Sequence, residues 1–401
     1  MATTYISEID STSPGVSTTS TYVVLIPGTC EKTGVEAGDE FDFVDTGTEF
    51  QATFDRTAEA NNLSYKIAYH LLELGLPVHY VVIDDESDLY DVDSGDDKYS
   101  SFWKKFADKG SYDLRFITAG GYRHEGIAEN VLRCAAERGD AVGIVDDDND
   151  CDTSADIENY AQTIVGHVVT RKDGTTENSL AYGAMFTPDF TFDSPYFKND
   201  TTTKYPASFG YLAAFAYHNL KEFPEWFATA GAIRGVLPYS NVKPEIKFGD
   251  ADNALLQNRE TAGNRGVNPI QLVRPYGNII WGARTLYPNA ADDNGKGYLK
   301  ASSFLNIRQL CCSIKKELYK ASKKFTFDPN SDTLWINFKS AVKPLLEEMK
   351  TNQGIKGYRF IKQTSKEKAT LTARIQIIPI EPVEDFYLTV HMVDSIVDVS
   401  E

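Results

Sequence analysis

The sequence predicts an α/β domain built on a largely parallel sheet, followed by a second part of mixed α/β character. Three observations carry this. Strand-like and helix-like stretches alternate at least three times before residue 146, and strands joined through helices pair in parallel. Charge is unevenly divided: residues 1–250 hold 19 Lys+Arg against 42 Asp+Glu, and residues 251–401 hold 21 against 16, within a net charge of −18. Finally, 307–325 (IRQLCCSIKKELYKASKKF) steps as an amphipathic helix with a cationic front, inside an otherwise acidic chain.

Residues 1–20 are rich in Ser and Thr and nearly free of large apolar side chains, so they read as an extended arm with a turn at Pro14-Gly15. Residues 22–26 (YVVLI) read as a buried strand ended by Pro27-Gly28, and 31–50 as an acidic loop. Leu63, Ile67, Leu71 and Leu74 have helical spacing, with Gly75 as the stop. A strand at 78–83 (VHYVVI), an acidic loop at 84–97 and a short helix at 102–106 follow. Then come a strand at 114–118 (LRFIT), a helix at 126–137 and a strand at 141–145 (AVGIV). The polar stretch 160–205 has strand-like pieces at 164–170 and 180–186. Helices are expected at 207–220 and around Leu255-Leu256, and a short strand at 279–281.

In the cationic helix, Ile307, Leu310, Cys311, Ile314, Leu318, Ala321 and Phe325 share one arc, and Arg308, Lys315, Lys316, Lys320, Lys323 and Lys324 lie opposite. The bland reading is a solvated face; the sharper one is a surface that docks on an acidic partner. A further helix at 332–350 is capped by Ser331 or Asp332, with Pro344 expected to kink or restart it. The chain closes with two alternating strands, 369–380 and 384–397. The second puts Phe386, Leu388, Val390 and Met392 on one side, and a long terminal strand is an aggregation liability unless something pairs with it.

Composition sets further bounds. An acidic first half repels phosphates and argues against a nucleic-acid ligand there. Five cysteines with no CxxC spacing, no apolar run near 18 residues and no leader-like start fit a soluble chain folded in a reducing cytoplasm, with no membrane partner. Asp146, Asp148 and Asp150 superficially fit an EF-hand, but Cys151 stands where the turn glycine belongs and Ile157 where the bidentate glutamate belongs. A Mg²⁺ site made by Asp84 and Asp85 with Asp146 and Asp148 is the best enzyme hypothesis; a solvated acidic loop is the default. No nucleotide motif, GxSxG or His metal spacing occurs, so no cofactor, metal or catalytic residue is expected.

Several blocks, in order and spacing, resemble the contractile phage tail sheath family. They are Gly266-Val267-Asn268-Pro269-Ile270; the run 277–286 (GNIIWGARTL), whose WGART is the most specific piece; Asn306-Ile307-Arg308; Phe327-Asp328-Pro329-Asn330; and Leu334-Trp335. Ser13-Pro14-Gly15-Val16 is similar to the family's early PGV, and Arg138-Gly139-Asp140 before Ile144-Val145-Asp146 to its RGD-then-ID element. The chain departs from the family at Arg308-Gln309, where two arginines are usual, and around 234–238, which lacks the usual aromatic.

The resemblance implies an outer, subtilisin-like α/β domain without catalytic residues, at 23–250, and an inner, tube-facing mixed α/β domain at 251–401. An arm at 1–22, including Tyr5, Ile6, Pro14, Gly15 and Val16, and a donor strand at 384–398 would be exchanged between subunits. It implies a sheath of stacked, hexameric discs around an inner tail tube protein, with baseplate and terminator proteins as further partners. The site would be the virion tail, after assembly in the host cytoplasm. It also implies that the cationic helix meets the tube, and that contraction drives the tube through a bacterial envelope. A metal-dependent enzyme and a static shell protein are the competing readings.

Overall fold

The computed structural model describes residues 22–44, 47–54, 62–90, 99–124, 126–171, 174–197, 202–363 and 371–384. Its centre is an eight-stranded sheet. In chain order the strands are β1 (Val23–Gly28), β2 (Glu40–Phe43), β3 (Val78–Val82), β4 (Leu114–Thr118), β5 (Val142–Asp146), β6 (Gly183–Thr187), β7 (Asn268–Val273) and β8 (Gly277–Ile280). Across the sheet they run β8-β7-β6-β5-β4-β1-β3-β2. The six middle strands are parallel, and β2 and β8 close the two edges antiparallel. Strands β3 to β6 are buried along their whole length, which is why they read as apolar runs without alternation.

Helices cover both faces. They are α1 (Gly47–Thr53), α2 (Leu63–Glu73), α3 (Ser101–Phe106), α4 (Ile127–Arg138), α5 (Ser154–Thr163), α6 (Ala207–Ala214) and α7 (Asp250–Leu256). Asn62 caps α2 by accepting from the Tyr65 amide at 3.1 Å, and Gly75, at φ 86°, ends it as the sequence predicts. Helix α4 lies so close to the sheet that a Cβ on Gly183 would sit 2.1 Å from Leu132 Cδ2. Three residues on, and so on the other face, Phe186 stacks on Tyr211 of α6, with ring centroids 4.4 Å apart.

The sheet continues past residue 250 into β7 and β8, so the division at 250/251 that the resemblance implies, and along which the charge was divided, falls before its last two strands. Charge marks what faces solvent, whereas sheet membership is decided by backbone pairing. The acidic stretch 31–50 likewise holds β2 and α1 rather than only loop.

Beyond the sheet, α8 (Leu305–Lys324) and α9 (Asp332–Thr351) form a second body with the hairpin β9 (Ile355–Gln363) and β10 (Thr372–Pro379). Its small core is Leu310, Ile314 and Ala321 from α8, Val342, Leu345, Leu346 and Met349 from α9, and Ile355. Helix α8 belongs to both bodies, because its Leu305 and Cys312 join the main core. Ser331 caps α9, and the helix runs on through Pro344 without a restart. The carbonyl that Pro344 leaves without its helical donor is that of Ser340, an exposed residue within reach of water. The partner of β10 is β9, a strand the sequence reading passed over; most of 384–397 lies outside the described residues.

Candidate functional site

The amphipathic spacing of 307–325 does produce a helix, but its cationic front is split between two tasks. Helix α8 crosses the starts of the central strands, and its residues up to Lys316 are committed there. Lys316, 5% exposed, donates from Nζ to the carbonyl of Leu114 at 3.2 Å and pairs with Asp113. Burial pulls its ammonium below the usual range. Lys315 Nζ donates to the Tyr182 hydroxyl at 2.6 Å and pairs with Glu177 at 3.1 Å. Burial alone would raise the Glu177 carboxyl, but Lys315, the Tyr182 hydroxyl and Arg171 outweigh it and hold it at about 2. The Arg308 guanidinium lies over the Tyr182 ring, 4.2 Å from its centroid.

Of the six cations read as one open face, Arg308, Lys315 and Lys316 are therefore spent inside the chain. Lys320 is half-buried and pairs with Glu317 at 3.1 Å, one helical turn back. Lys323 and Lys324 are exposed. Helical stepping separates a polar from an apolar side, but it does not say whether the polar side meets water or carbonyls of another layer. Sequence reading also passed over Arg115, the one charge inside LRFIT. Its Nη2 donates to the Gln309 carbonyl at 2.7 Å and to Glu225 at 2.9 Å, anchoring α8 on β4. A charge within a buried apolar strand was the available signal.

The acidic cluster at the other end of the sheet is a buried network. Asp146 accepts from the Ser208 amide at 2.7 Å and the Ser208 hydroxyl at 2.6 Å, at the start of α6, where a negative charge is favoured. Asp147 accepts from the Thr187 hydroxyl and from Arg123 Nη1 at 3.5 Å, and Arg123 Nη2 pairs with Asp189. Asp85 instead caps its own turn through the Ser87 amide at 2.7 Å, and the Asp84 amide donates to Asp88 at 2.9 Å. Among the described residues no group of three or more His, Cys, Asp or Glu is placed to hold a metal ion. Of the four carboxylates in the metal-dependent reading, Asp146 is engaged by Ser208 and Asp85 by the Ser87 amide, while Arg123 and Thr187 engage the neighbouring Asp147.

Burial pushes the Asp147 carboxyl up to about 7 and that of Asp189 up to about 6. A raised carboxyl pKa means that the folded chain binds the proton more tightly than the unfolded chain. The stability these groups contribute is therefore full below about pH 4 and is lost as pH rises toward 7. Glu177 acts with the opposite sign, and only below its ordinary 4.5. Thermal unfolding should thus occur at lower temperature near neutral pH than near pH ~5, and Asp147→Asn should flatten that difference.

The WGART block is a joint. The Asn268 amide of β7 donates to the carbonyls of Met185 (3.0 Å) and Arg284 (2.8 Å), and its oxygen accepts from the Arg284 amide at 2.7 Å. Thr285 is tied to Ser302 and Ser303, just before α8. The hairpin β9–β10 rests its Tyr358, Phe360, Ile375 and Ile377 on the second core, and among the described residues neither strand has a second strand partner. The arm residues Tyr5, Ile6, Pro14, Gly15 and Val16 and the strand residues Phe386, Leu388, Val390 and Met392 lie outside the described residues. No helix among the described residues is long and apolar enough to cross a membrane.

Residues 300–393 match the family described as the phage tail sheath C-terminal domain. No curated protein matches the chain. Among solved structures, the chain is similar to the sheath complex of an extracellular contractile injection system, PVC, in its contracted state. There the TM-score is 0.67 at 15% identity, over 99% of this chain and 98% of that one. It is similar to the helical sheath of the anti-feeding prophage (AFP) in its contracted state, with TM-score 0.63 at 16% identity over 97% and 98%. A chain of the AFP baseplate, 6-fold symmetrised, gives 0.64 at 15% identity over 98% and 99%. The likeness is one of fold, end to end, and the family match bears out the resemblance where it spans Asn306-Ile307-Arg308, Phe327-Asp328-Pro329-Asn330 and Leu334-Trp335.

Proposed function

We infer that this chain, which carries the phage tail sheath C-terminal domain at residues 300–393 and the fold of contractile-sheath chains along its whole length, is the structural subunit of a contractile tail sheath. The observation that carries this is the end-to-end match to a contracted sheath chain, since neither body is left without a counterpart.

In this reading the outer part is 23–250 extended by β7 and β8, and the inner part is the remainder up to the terminal strand. The arm 1–22 and the strand 384–398 leave the subunit and complete the hairpin β9–β10 of neighbours. A two-stranded sheet is marginal by itself, and this one has unpaired edges among the described residues. An open groove of about 980 Å³ beside it has Leu318, Phe325, Phe338, Ile375 and Ile377 on its walls. The alternating Phe386, Leu388, Val390 and Met392 of a second copy suit that wall.

Subunits assemble as hexameric discs around a rigid inner tube, between baseplate and terminator proteins, in an extended lattice that stores free energy. The particle is a phage tail or a related injection machine, built in the host cytoplasm. On release, the strand connections persist, at about 1 kcal/mol net per hydrogen bond. The outer domains meanwhile gain buried apolar area at roughly 25 cal/mol per Å². The chain performs no catalysis; the work comes from the lattice.

The tube contact must break during contraction, and exposed ion pairs at about 0–1 kcal/mol each suit that. The cations in position for it are Lys320, Lys323 and Lys324 at the end of α8, with Lys339, Lys343 and Lys350 on the open side of α9. Reversing Lys323 and Lys324 to Glu should lower tube-templated assembly about tenfold without shifting thermal unfolding; Lys320 is left as it is because its partner Glu317 is buried. Lys316 is left out because its burial would confuse the two readouts.

Negative-stain microscopy of the expressed chain, with and without an inner tube, tests the whole proposal. Tubular polymers are expected. Isolated particles under both conditions would overturn it, and a tube with a single, unchanging lattice would favour the static shell.

A further inference from the structure

Glu384 is the last described residue, and it is firmly held. Its two carboxylate oxygens accept from Arg284 Nε at 2.7 Å and Nη2 at 2.6 Å, a two-point ion pair. The Arg284 side chain is 3% exposed and that of Glu384 22%. The guanidinium rests over Phe304, 5.6 Å from the ring centroid. Through the Arg284 backbone and Asn268, the pair is linked to the Met185 carbonyl in the middle of the sheet.

On the approach side, β10 ends at Pro379 and the Ile380 amide donates to the Gly354 carbonyl at 3.1 Å. The chain then crosses from the hairpin to the large body, beside an open groove of about 610 Å³ flanked by Trp281 and Arg259. It therefore has two fixed points, at Ile380 on the small body and at Glu384 on the large one, and whatever follows departs from the second.

We propose that Arg284 and Glu384 form a clasp that sets where the terminal segment leaves the subunit, and so the point on a second copy that it reaches. Glu384 is a positioning residue for the inter-subunit strand; this rests on the reading that the strand is exchanged. A tether held at its root searches a small volume, and its effective concentration at the target falls as slack is added. Opening the clasp returns the root to Ile380. That adds four residues of slack, up to about 14 Å when extended.

The test uses the full chain as Glu384→Ala, and as the double variant Arg284→Met with Glu384→Ala. The double variant removes both charges together, so that no buried guanidinium is left alone. In unassembled subunits, amide exchange over 381–384 should quicken about tenfold in both variants, while exchange at Ile380 and in the central strands stays unchanged. The threshold concentration for polymer should rise about fivefold in both. Unchanged exchange over 381–384 would overturn the clasp. Faster exchange with an unchanged threshold would overturn its positioning role. Wild-type chain that never polymerises would sink the exchanged-strand reading and the positioning role with it, while exchange still decides whether the pair holds the chain.

Discussion

Deleting residues 385–401 is expected to leave a folded subunit that forms no polymer at all. Among the described residues, every member of both cores lies before the cut: the main core ends its recruitment at Leu305 and Cys312 of α8, and the small one at Ile355 with the hairpin packed on it. Thermal unfolding of the isolated subunit should therefore be unchanged. On the exchanged-strand proposal, what disappears is the donated strand. An exchanged strand of this length supplies on the order of ten hydrogen bonds at about 1 kcal/mol each, and every 1.4 kcal/mol lost is about tenfold in affinity. No concentration reached in solution offsets that. The measurement is sedimentation and negative-stain microscopy of the truncated chain beside the full one; ordinary sheaths from the truncated chain would remove strand exchange from the mechanism. The cut is placed after Glu384 so that the clasp with Arg284 survives and the two effects stay separate.

Replacing Arg123 by Met should cost about 3–5 kcal/mol of subunit stability, the usual penalty for leaving buried charge without its partner. Its side chain is 7% exposed and faces Asp147 and Asp189, with Asp146 close by in the same network. Sequence reading treated this cluster as a possible metal site or a solvated loop; the structure fills the place of a cation with a guanidinium. The pH dependence separates this account from simple loss of packing. Without Arg123 the carboxyls can be neutralised only by protons, so urea unfolding should show a larger loss near pH ~8 than near pH ~5. A loss below about 1 kcal/mol, equal at both, would mean that Arg123 is not the centre of this network.

Much of the fold was legible because its signals are short-ranged. Helix–glycine–strand order around Gly75, the apolar runs VHYVV and AVGIV, and the 3.6-residue stripe of α8 each depend on residues within a few positions of one another. The misses are of one kind as well. Strand β2 is four residues of an edge, EFDF, too short for alternation to stand out beside acidic neighbours. Strand β9 interrupts its apolar side chains with Lys356, Arg359 and Lys362, all exposed, so no clean alternation stands out. Strand β10 pairs with β9, which lies before it in the chain.

The sequence by itself determined the α/β rhythm, the amphipathic helix and, through the WGART and neighbouring blocks, the resemblance to tail sheath proteins. Periodicity, capping and turn chemistry are written into adjacent residues, so these could be read off the chain. Only the tertiary structure decided how each charge is used. Lys316 meets a carbonyl 202 positions away in β4, Arg284 a carboxylate 100 positions on, and Arg123 a carboxylate 66 positions on. A lysine facing water and a lysine closing a buried joint have the same side chain and the same place in a helical repeat. What separates them is which distant backbone the fold brings alongside, and that is settled by packing over the whole molecule.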